Sequence, residues 1–151
     1  MYLSTHLDSV TRIRFAHNDS HRLAIASADG TASICHIFPS PTIGLKAQKF
    51  DRATTSPRAS LRIDYLEPPL LDLTTSSPPA LMDIAWSLAN DYVATVSLDA
   101  SLCLWDVQRG GSLARHFRDV ASPGSGLLVC EFHPMNNNYI VLGDTLGLVQ
   151  V

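Results

Sequence analysis

His6, Ser27 and Asp29 are the residue types of a nucleophilic triad, a hydroxyl to attack, an imidazole to take its proton and a carboxylate to orient the ring. No Gly-x-Ser-x-Gly turn of the kind that forces a nucleophilic serine into exposure accompanies them. The register of the chain, set out below, gives the three a structural use instead. His17 and His21, with Cys35-His36 nearby, are a second candidate, for zinc. Yet the two histidines fall in a polar turn, and Cys35 and His36 are neighbours on an alternating segment and so point to opposite faces. Gly110-Gly111 reads as an isolated hairpin turn rather than a loop that cradles phosphate. Arg109, Arg115, His116 and Arg118 form the densest basic cluster and read as a solvated outer edge, because a nucleic-acid groove needs more charge and exposed aromatics. No catalytic residue, cofactor site or metal site is assigned.

The chain that must position these residues has 151 residues, 46% apolar and 17% charged, with a formal net charge of −3. That length suits one domain with a sizeable core. No stretch concentrates Lys and Arg, so a broad electrostatic grip on nucleic acid is excluded. No apolar run approaches the roughly 18 residues of a membrane span, and Met1 to Val10 has neither the basic start nor the apolar stretch of a secretory signal. Cys35, Cys103 and Cys130, an odd number without CxxC spacing, are expected to be reduced and buried, as in a soluble intracellular protein.

Periodicity supplies the architecture. Val10–Phe15 is followed by Leu23–Gly30, Leu81–Trp86 by Val93–Ala100, and Leu127–Phe132 by Ile140–Gly143. Phe15 and Trp86 lie 71 residues apart and Asp29 and Asp99 lie 70 apart, while Trp86 and Phe132 lie 46 apart, near the period of about 40–45 residues of a propeller blade. In each unit the apolar residues alternate: Ile13 and Phe15, Ile84 and Trp86, Cys130 and Phe132. Turns rich in Asn, Asp and Ser follow, then a second strand, then a tight Asp-Gly or Asp-Ala turn into a third strand over Ala32–Ile37 or Leu102–Val107. Leu102, Cys103, Leu104 and Trp105 make that strand apolar on both faces, as between packed sheets. The fold class is all-β.

These residues resemble the WD-repeat family. Trp105-Asp106 stands where the family carries its naming dipeptide, Ser97-Leu98-Asp99 matches its Ser-x-Asp, and His6 precedes Val10 where the family places a histidine. The resemblance covers about 1–38 and 81–151. It implies a partial β-propeller of about three blades, not closed, with units at about 5–50, 81–118 and 125–151. It also implies a structural hydrogen-bond ladder of His6, Ser27, Asp29, Ser97, Asp99 and Trp105. No unit holds the full set: Cys35-His36 replaces Trp-Asp in the first, Ser77 stands for histidine in the second, and Pro123 for histidine in the third. The blades are therefore expected to be held more by apolar packing than by the ladder.

Residues 39–80 hold seven of the nine prolines and clusters of Ser and Thr, and are expected to be a long, largely irregular insertion. Within it, Ile43–Phe50 is a candidate outer strand for the first unit and Leu61–Leu66 another. Leu70–Leu73 is a short apolar patch, and Ser40, Ser56 and Ser77 precede proline as candidate phosphorylation sites. Three units are not expected to close a ring, and Val151 falls inside the third strand of the last. The chain is thus expected to be part of a longer one, or an incomplete gene model, and to aggregate or oligomerise alone.

The resemblance implies a non-catalytic scaffold, nuclear or cytoplasmic, that binds protein or peptide partners through loops and blade edges, with Asp8, Ser9, Arg12, Ala28 and Leu98 as rim contacts. A chromatin- or RNA-associated regulatory module is the alternative and a propeller enzyme a further one. Direct contact with nucleic acid is not expected, and neither a cofactor nor a membrane is called for.

Overall fold

The computed structural model describes residues 6–38, 60–66 and 78–151, which form eleven strands in three antiparallel sheets. The first sheet runs β1 (Val10–Ala16), β2 (Asp19–Ser27), β3 (Ala32–Phe38) and β4 (Ser60–Leu66) in sequence order. The second repeats that order with β5 (Leu81–Trp86), β6 (Tyr92–Ser97), β7 (Leu102–Asp106) and β8 (Ser112–Phe117). The third has β9 (Leu127–His133), β10 (Asn136–Asp144) and β11 (Val149–Gln150). Among the described residues there is no helix, and none long and apolar enough to cross a membrane.

Local chemistry explains the hairpins. Val93, Thr95 and Val96 are β-branched and suit a pleated, half-buried surface. The tight turns fall where residues tolerate the left-handed region: Asn18 (φ 53°) before β2, Asn90 (φ 57°) before β6, and Gly30 (φ 81°) before β3. Ala100 (φ 65°) takes the same conformation before β7, where a side chain is strained.

The outer strand of the first sheet is formed by the second of the two candidate stretches, Leu61–Leu66. Ser60–Leu66 pairs with β3, from Ala32 opposite Leu66 to Phe38 opposite Ser60, so part of the stretch assigned to the insertion completes the sheet. Ile43–Phe50, Leu70–Leu73 and the three Ser-Pro sites lie outside the described residues.

The sheets stack face to face, with two cores between them. Ala16, Ala24, Ala26, Ala32 and Ile34 of the first sheet meet Leu81, Ile84, Trp86, Val93, Cys103 and Trp105 of the second. Ala85, Ala94, Val96 and Leu102 of the second meet Leu127, Cys130, Phe132 and Leu142 of the third. Alternation splits β7 as its composition implies, with Cys103 and Trp105 toward one core and Leu102 toward the other. At the first junction the preceding sheet offers mostly alanines and the following sheet inserts large residues, whereas at the second Ala85 and Ala94 share the face with Val96 and Leu102. Trp86 lies on a floor of alanines. A residue's place in the stack then decides its burial. Ile84 and Trp86 are 0% and 2% exposed, whereas Ile13 and Phe15, at the same positions of the first sheet, are 57% and 58% exposed.

Polar contacts cross the same junctions. Asp83, on the inner strand of the middle sheet, is fully buried. It accepts from Arg12 Nε of the first sheet at 2.8 Å, from its neighbour Ile84 N–H at 2.9 Å and from Cys130 N–H of the third sheet at 3.1 Å. One carboxylate thus ties three sheets together. Trp86 Nε1 donates to the Arg14 carbonyl at 3.0 Å, and the Arg22 guanidinium lies 5.5 Å from the Trp86 ring centroid. At the far end Asn90 accepts from His17 N–H (2.8 Å) and donates to His17 O (2.7 Å), and Asn137 accepts from Leu88 N–H (2.8 Å).

Candidate functional site

The turns from second to third strand place their loops at one end of all three sheets. The same backbone bonds close each of them: Ser27 N–H to Thr31 O, Ser97 N–H to Ser101 O and Asp144 N–H to Leu148 O, at 3.0–3.2 Å. Each turn is also tied to the chain entering its sheet, by Ala28 N–H to Ser9 O, Leu98 N–H to Ala80 O and Thr145 N–H to Gly126 O. These bonds make Ser27, Ser97 and Asp144 equivalent.

A carboxylate organises every turn. Asp29 accepts from Thr31 N–H (2.9 Å), from the Thr31 hydroxyl (2.6 Å) and from Leu7 N–H (2.8 Å). Burial pushes its carboxyl up, but these hydrogen bonds outweigh it and hold it at about 2. Asp99 accepts from the Ser97 hydroxyl and from Ser101 N–H (3.0 Å), and again these bonds overcome burial and lower its pKa. In the third sheet the carboxylate stands at the serine position. Asp144 accepts from Leu146 N–H (3.0 Å), Leu148 N–H (2.9 Å) and the Ser125 hydroxyl (3.1 Å), and bonds from Ser122 and Leu148 above all hold it at about 2. The third turn is thus built with its polar roles exchanged, the carboxylate standing at the serine position and a serine, Ser125, reaching it from the entering chain. That exchange hides Asp144 and Ser125 from the repeat pattern, while Thr31, Ser33, Thr95 and Ser101 lie at positions the pattern does not mark.

His6 meets the first turn. The one proton of the Thr31 hydroxyl goes to Asp29, so His6 Nδ1 donates to Thr31 Oγ1 (2.9 Å), and in the neutral ring Nε2 accepts from the Ser33 hydroxyl (2.9 Å). Ser27 instead donates to Ser9 O (3.1 Å) and accepts from Asp29 N–H (3.2 Å). The structure thus brings His6 and Asp29 together, 3.5 Å apart, without the Ser27–imidazole bond that nucleophilic attack requires. Trp105 does not join Ser97 and Asp99, since its Nε1 donates to Thr95 Oγ1 at 2.9 Å inside the core.

Asp8, Ser9, Ala28 and Leu98 all sit at this rim, with Leu98 46% exposed. Arg12 lies lower, drawn to Asp83. The histidines considered for zinc part company: His17 Nε2 is 3.3 Å from Trp86 O, His21 Nδ1 is 3.6 Å from Asp19, and Cys35 is buried. Among the described residues no three metal-binding side chains converge. Burial raises all three cysteine thiols, with Cys103 pushed up to about 12, which leaves them poor nucleophiles at neutral pH.

Between the second and third sheets the rim opens into a cleft of about 600 Å³. Leu98, Asp99 and Ala100 form one wall and the link from Asp119 to Gly126 the other. The link is seated by Val120 N–H on Ala100 O (3.0 Å). Gly126 permits the close approach, because a Cβ there would stand 2.5 Å from Leu98 O. Asp99 and Asp119 thus stand on opposite walls of the cleft, and Ala100, Ala121, Ser122, Gly124, Ser125 and Gly126 are among its small lining residues.

Comparison with known proteins agrees with this geometry. The family model for the WD domain, G-beta repeat, matches residues 1–36 and 69–106. The C-terminal WD40 domain of Sif2 superposes with a TM-score of 0.66 at 16% identity, over 95% of this chain and 33% of that one. The β-propeller domain of Cps50 (Swd1) from Myceliophteria thermophila superposes with a TM-score of 0.59 at 18% identity, over 90% of this chain and 37% of that one. Protein tipD of Dictyostelium discoideum is 29% identical over 66 residues, 44% of this chain and 11% of that protein. The chain therefore spans about a third of the solved propellers and a smaller share of tipD. WD40 propellers are typically protein-interaction scaffolds and generally not enzymes. With WD-repeat matches in its first two sheets and the same turn bonds carried into a third, this chain has the fold of stacked WD40 propeller blades.

Proposed function

We propose that this chain is a non-catalytic interaction module that binds a protein partner at the turn rim, through the cleft between its second and third sheets. One observation carries the reading: a cleft of about 600 Å³ lies at the turn end of the stack, with Asp99 and Asp119 on its two walls and mostly small residues in its lining. Carboxylates on both walls favour a segment bearing Lys or Arg and repel phosphate, which argues against nucleic acid as the direct ligand. We propose further a kinship with WD repeat-containing protein 13, which the stretches Asp83–Asp91 and Leu128–Asn138 suggest, and a nuclear or cytoplasmic setting belongs to the same proposal.

Panning a random peptide display library on the 1–151 chain tests it. Enriched sequences carry Lys or Arg, and Asp119→Arg, an exposed change, abolishes their binding while leaving the circular dichroism spectrum unchanged. Enrichment without basic residues, or binding untouched by Asp119→Arg, contradicts the assignment.

A further inference from the structure

The link from Asp119 to Gly126 carries chemistry that the cleft's binding role does not use. Ser122-Pro123 is the fourth Ser-Pro pair of the sequence, and both of its residues are among those described. Proline lacks an N–H and fixes its own φ, the feature by which proline-directed kinases select the hydroxyl before it. The pair opens a tight turn. Ser125 N–H donates to Ser122 O at 2.9 Å, with Pro123 and Gly124 (φ 78°) at the exposed corner. No strand holds this segment, since β8 ends at Phe117 and β9 starts at Leu127. Its seat is a handful of bonds, among them Val120 N–H to Ala100 O (3.0 Å) and two that reach Asp144, from Ser122 N–H (3.4 Å) and the Ser125 hydroxyl (3.1 Å).

The surroundings of Ser122 decide what a phosphate there does. Asp144 is buried, and a hydrogen bond from the Ser122 side chain is the largest of the influences that hold its carboxyl at about 2. Ser122 also lines the cleft with Asp99 and Asp119, and among the described residues of that lining there is no Lys or Arg. Arg118, the nearest basic residue along the chain, lies outside it. Phosphorylation removes the hydroxyl proton and brings about −1.5 to −2 charges. In the seated link those charges meet the carboxylates of Asp99, Asp119 and Asp144, with no cation in the lining to pair them.

We infer that Ser122 is a phosphorylation site and that its phosphate unseats the 119–126 link, dismantling one wall of the cleft. In the transfer Ser122 Oγ attacks the γ-phosphorus of ATP, its proton passes to a base of the kinase, and the bond to the β-phosphate oxygen breaks as ADP leaves. The kinase takes the open link, because Ser122 is half-buried against Asp144 in the seated one. Once phosphorylated, the link cannot reseat without setting its charge beside a buried carboxylate, so the modification biases an opening that the few seating bonds already permit. As regulation of the cleft this rests on the function proposed above; as a modification that loosens the link it stands without it.

The folded 1–151 chain, incubated with Mg-ATP and a cyclin-dependent kinase and mapped by peptide mass analysis, tests the site, with a synthetic peptide of residues 117–127 as the positive control. The expected result is phosphate on Ser122. Ser125→Ala, which deletes the hydroxyl bonds to Ser122 O (2.8 Å) and Asp144, speeds the modification by about 10-fold. With phosphoserine incorporated at 122 during synthesis, hydrogen exchange at the Val120 amide accelerates by about 10-fold or more, while the Val107 amide, bonded to Asp91 O at the far end, keeps its rate. Binding of the basic peptides enriched by panning falls by a similar factor. Absence of phosphate from Ser122 of the chain overturns the inference, and so does phosphoserine at 122 that leaves Val120 exchange unchanged. Peptides that bind neither form sink the cleft's proposed function, and the phosphate mapping and the exchange rates still decide this inference.

Discussion

Phe15 and Trp86 occupy the same place on the inner strands of neighbouring sheets, and one is largely in water while the other is enclosed. Nothing in their local sequence separates them, since both close an alternating strand ahead of a polar turn. The difference lies in what comes before. Trp86 has the alanine face of the first sheet to lie on, with the Arg14 carbonyl for its ring N–H and Arg22 over its face. Among the described residues Phe15 has no preceding sheet. Stability in this architecture therefore resides in the junctions between sheets more than in the sheets themselves.

The sharpest way to break the comparison is to truncate both aromatics. Trp86→Ala removes the largest insertion at the first junction and lowers the unfolding free energy by about 3–5 kcal/mol, whereas Phe15→Ala changes that of the dilute monomer by under about 1 kcal/mol. Denaturant titration measures both, and equal losses would refute the junction account. Asp83→Ala comes next, at about 3 kcal/mol, because it strands the buried Cys130 N–H and unties all three sheets. Arg12→Ala, whose side chain is 42% exposed, costs about 1 kcal/mol or less.

Asn90→Ala cuts both bonds to the His17 turn and costs about 1 kcal/mol, with faster hydrogen exchange at the His17 amide than at Leu88. The pH response follows from Asp29 and Asp144, whose carboxyls are held at about 2. Their contribution is present in full above the ordinary carboxylate pKa near 4 and is lost as pH falls through about 2, so the melting temperature drops across that window. Asp29→Asn flattens part of the drop, and an unchanged profile would show that the first turn is not carboxylate-organised. The smallest effect is Ala100→Gly, which relieves the left-handed conformation and raises stability by about 0.5 kcal/mol.

Much of each sheet was legible because strand alternation and turn chemistry are local. The pairs Ile13 and Phe15, Ile84 and Trp86, and Cys130 and Phe132 mark the inner strands at a glance, and the two-sided apolar run Leu102–Trp105 marks a strand between cores. What escaped is whatever depends on a second element. Asp83 reads as a polar position on an alternating strand, and only stacking turns it into a tie between sheets. Asp144 was passed over because the repeat pattern seeks aspartate two residues after the serine, whereas here the carboxylate replaces the serine and bonds the same turn from there. The outer strand of the first sheet escaped in part, because pairing, not periodicity, chooses Ser60–Leu66. Of the rim residues, Leu98 was found by register, but the cleft beside it arises from Gly126 and the Asp119–Ser125 link, which no repeat position marks.

The junctions can be probed directly through native thiols. Cys103 lies in the first core and Cys130 in the second, each closed off by the neighbouring sheet. Thiol labelling under native conditions, followed by peptide mass analysis, should modify both at the rate of global unfolding and no faster. Labelling of either cysteine at the rate of an open thiol, in a chain whose circular dichroism remains that of folded sheets, would contradict the stacking on which the account rests.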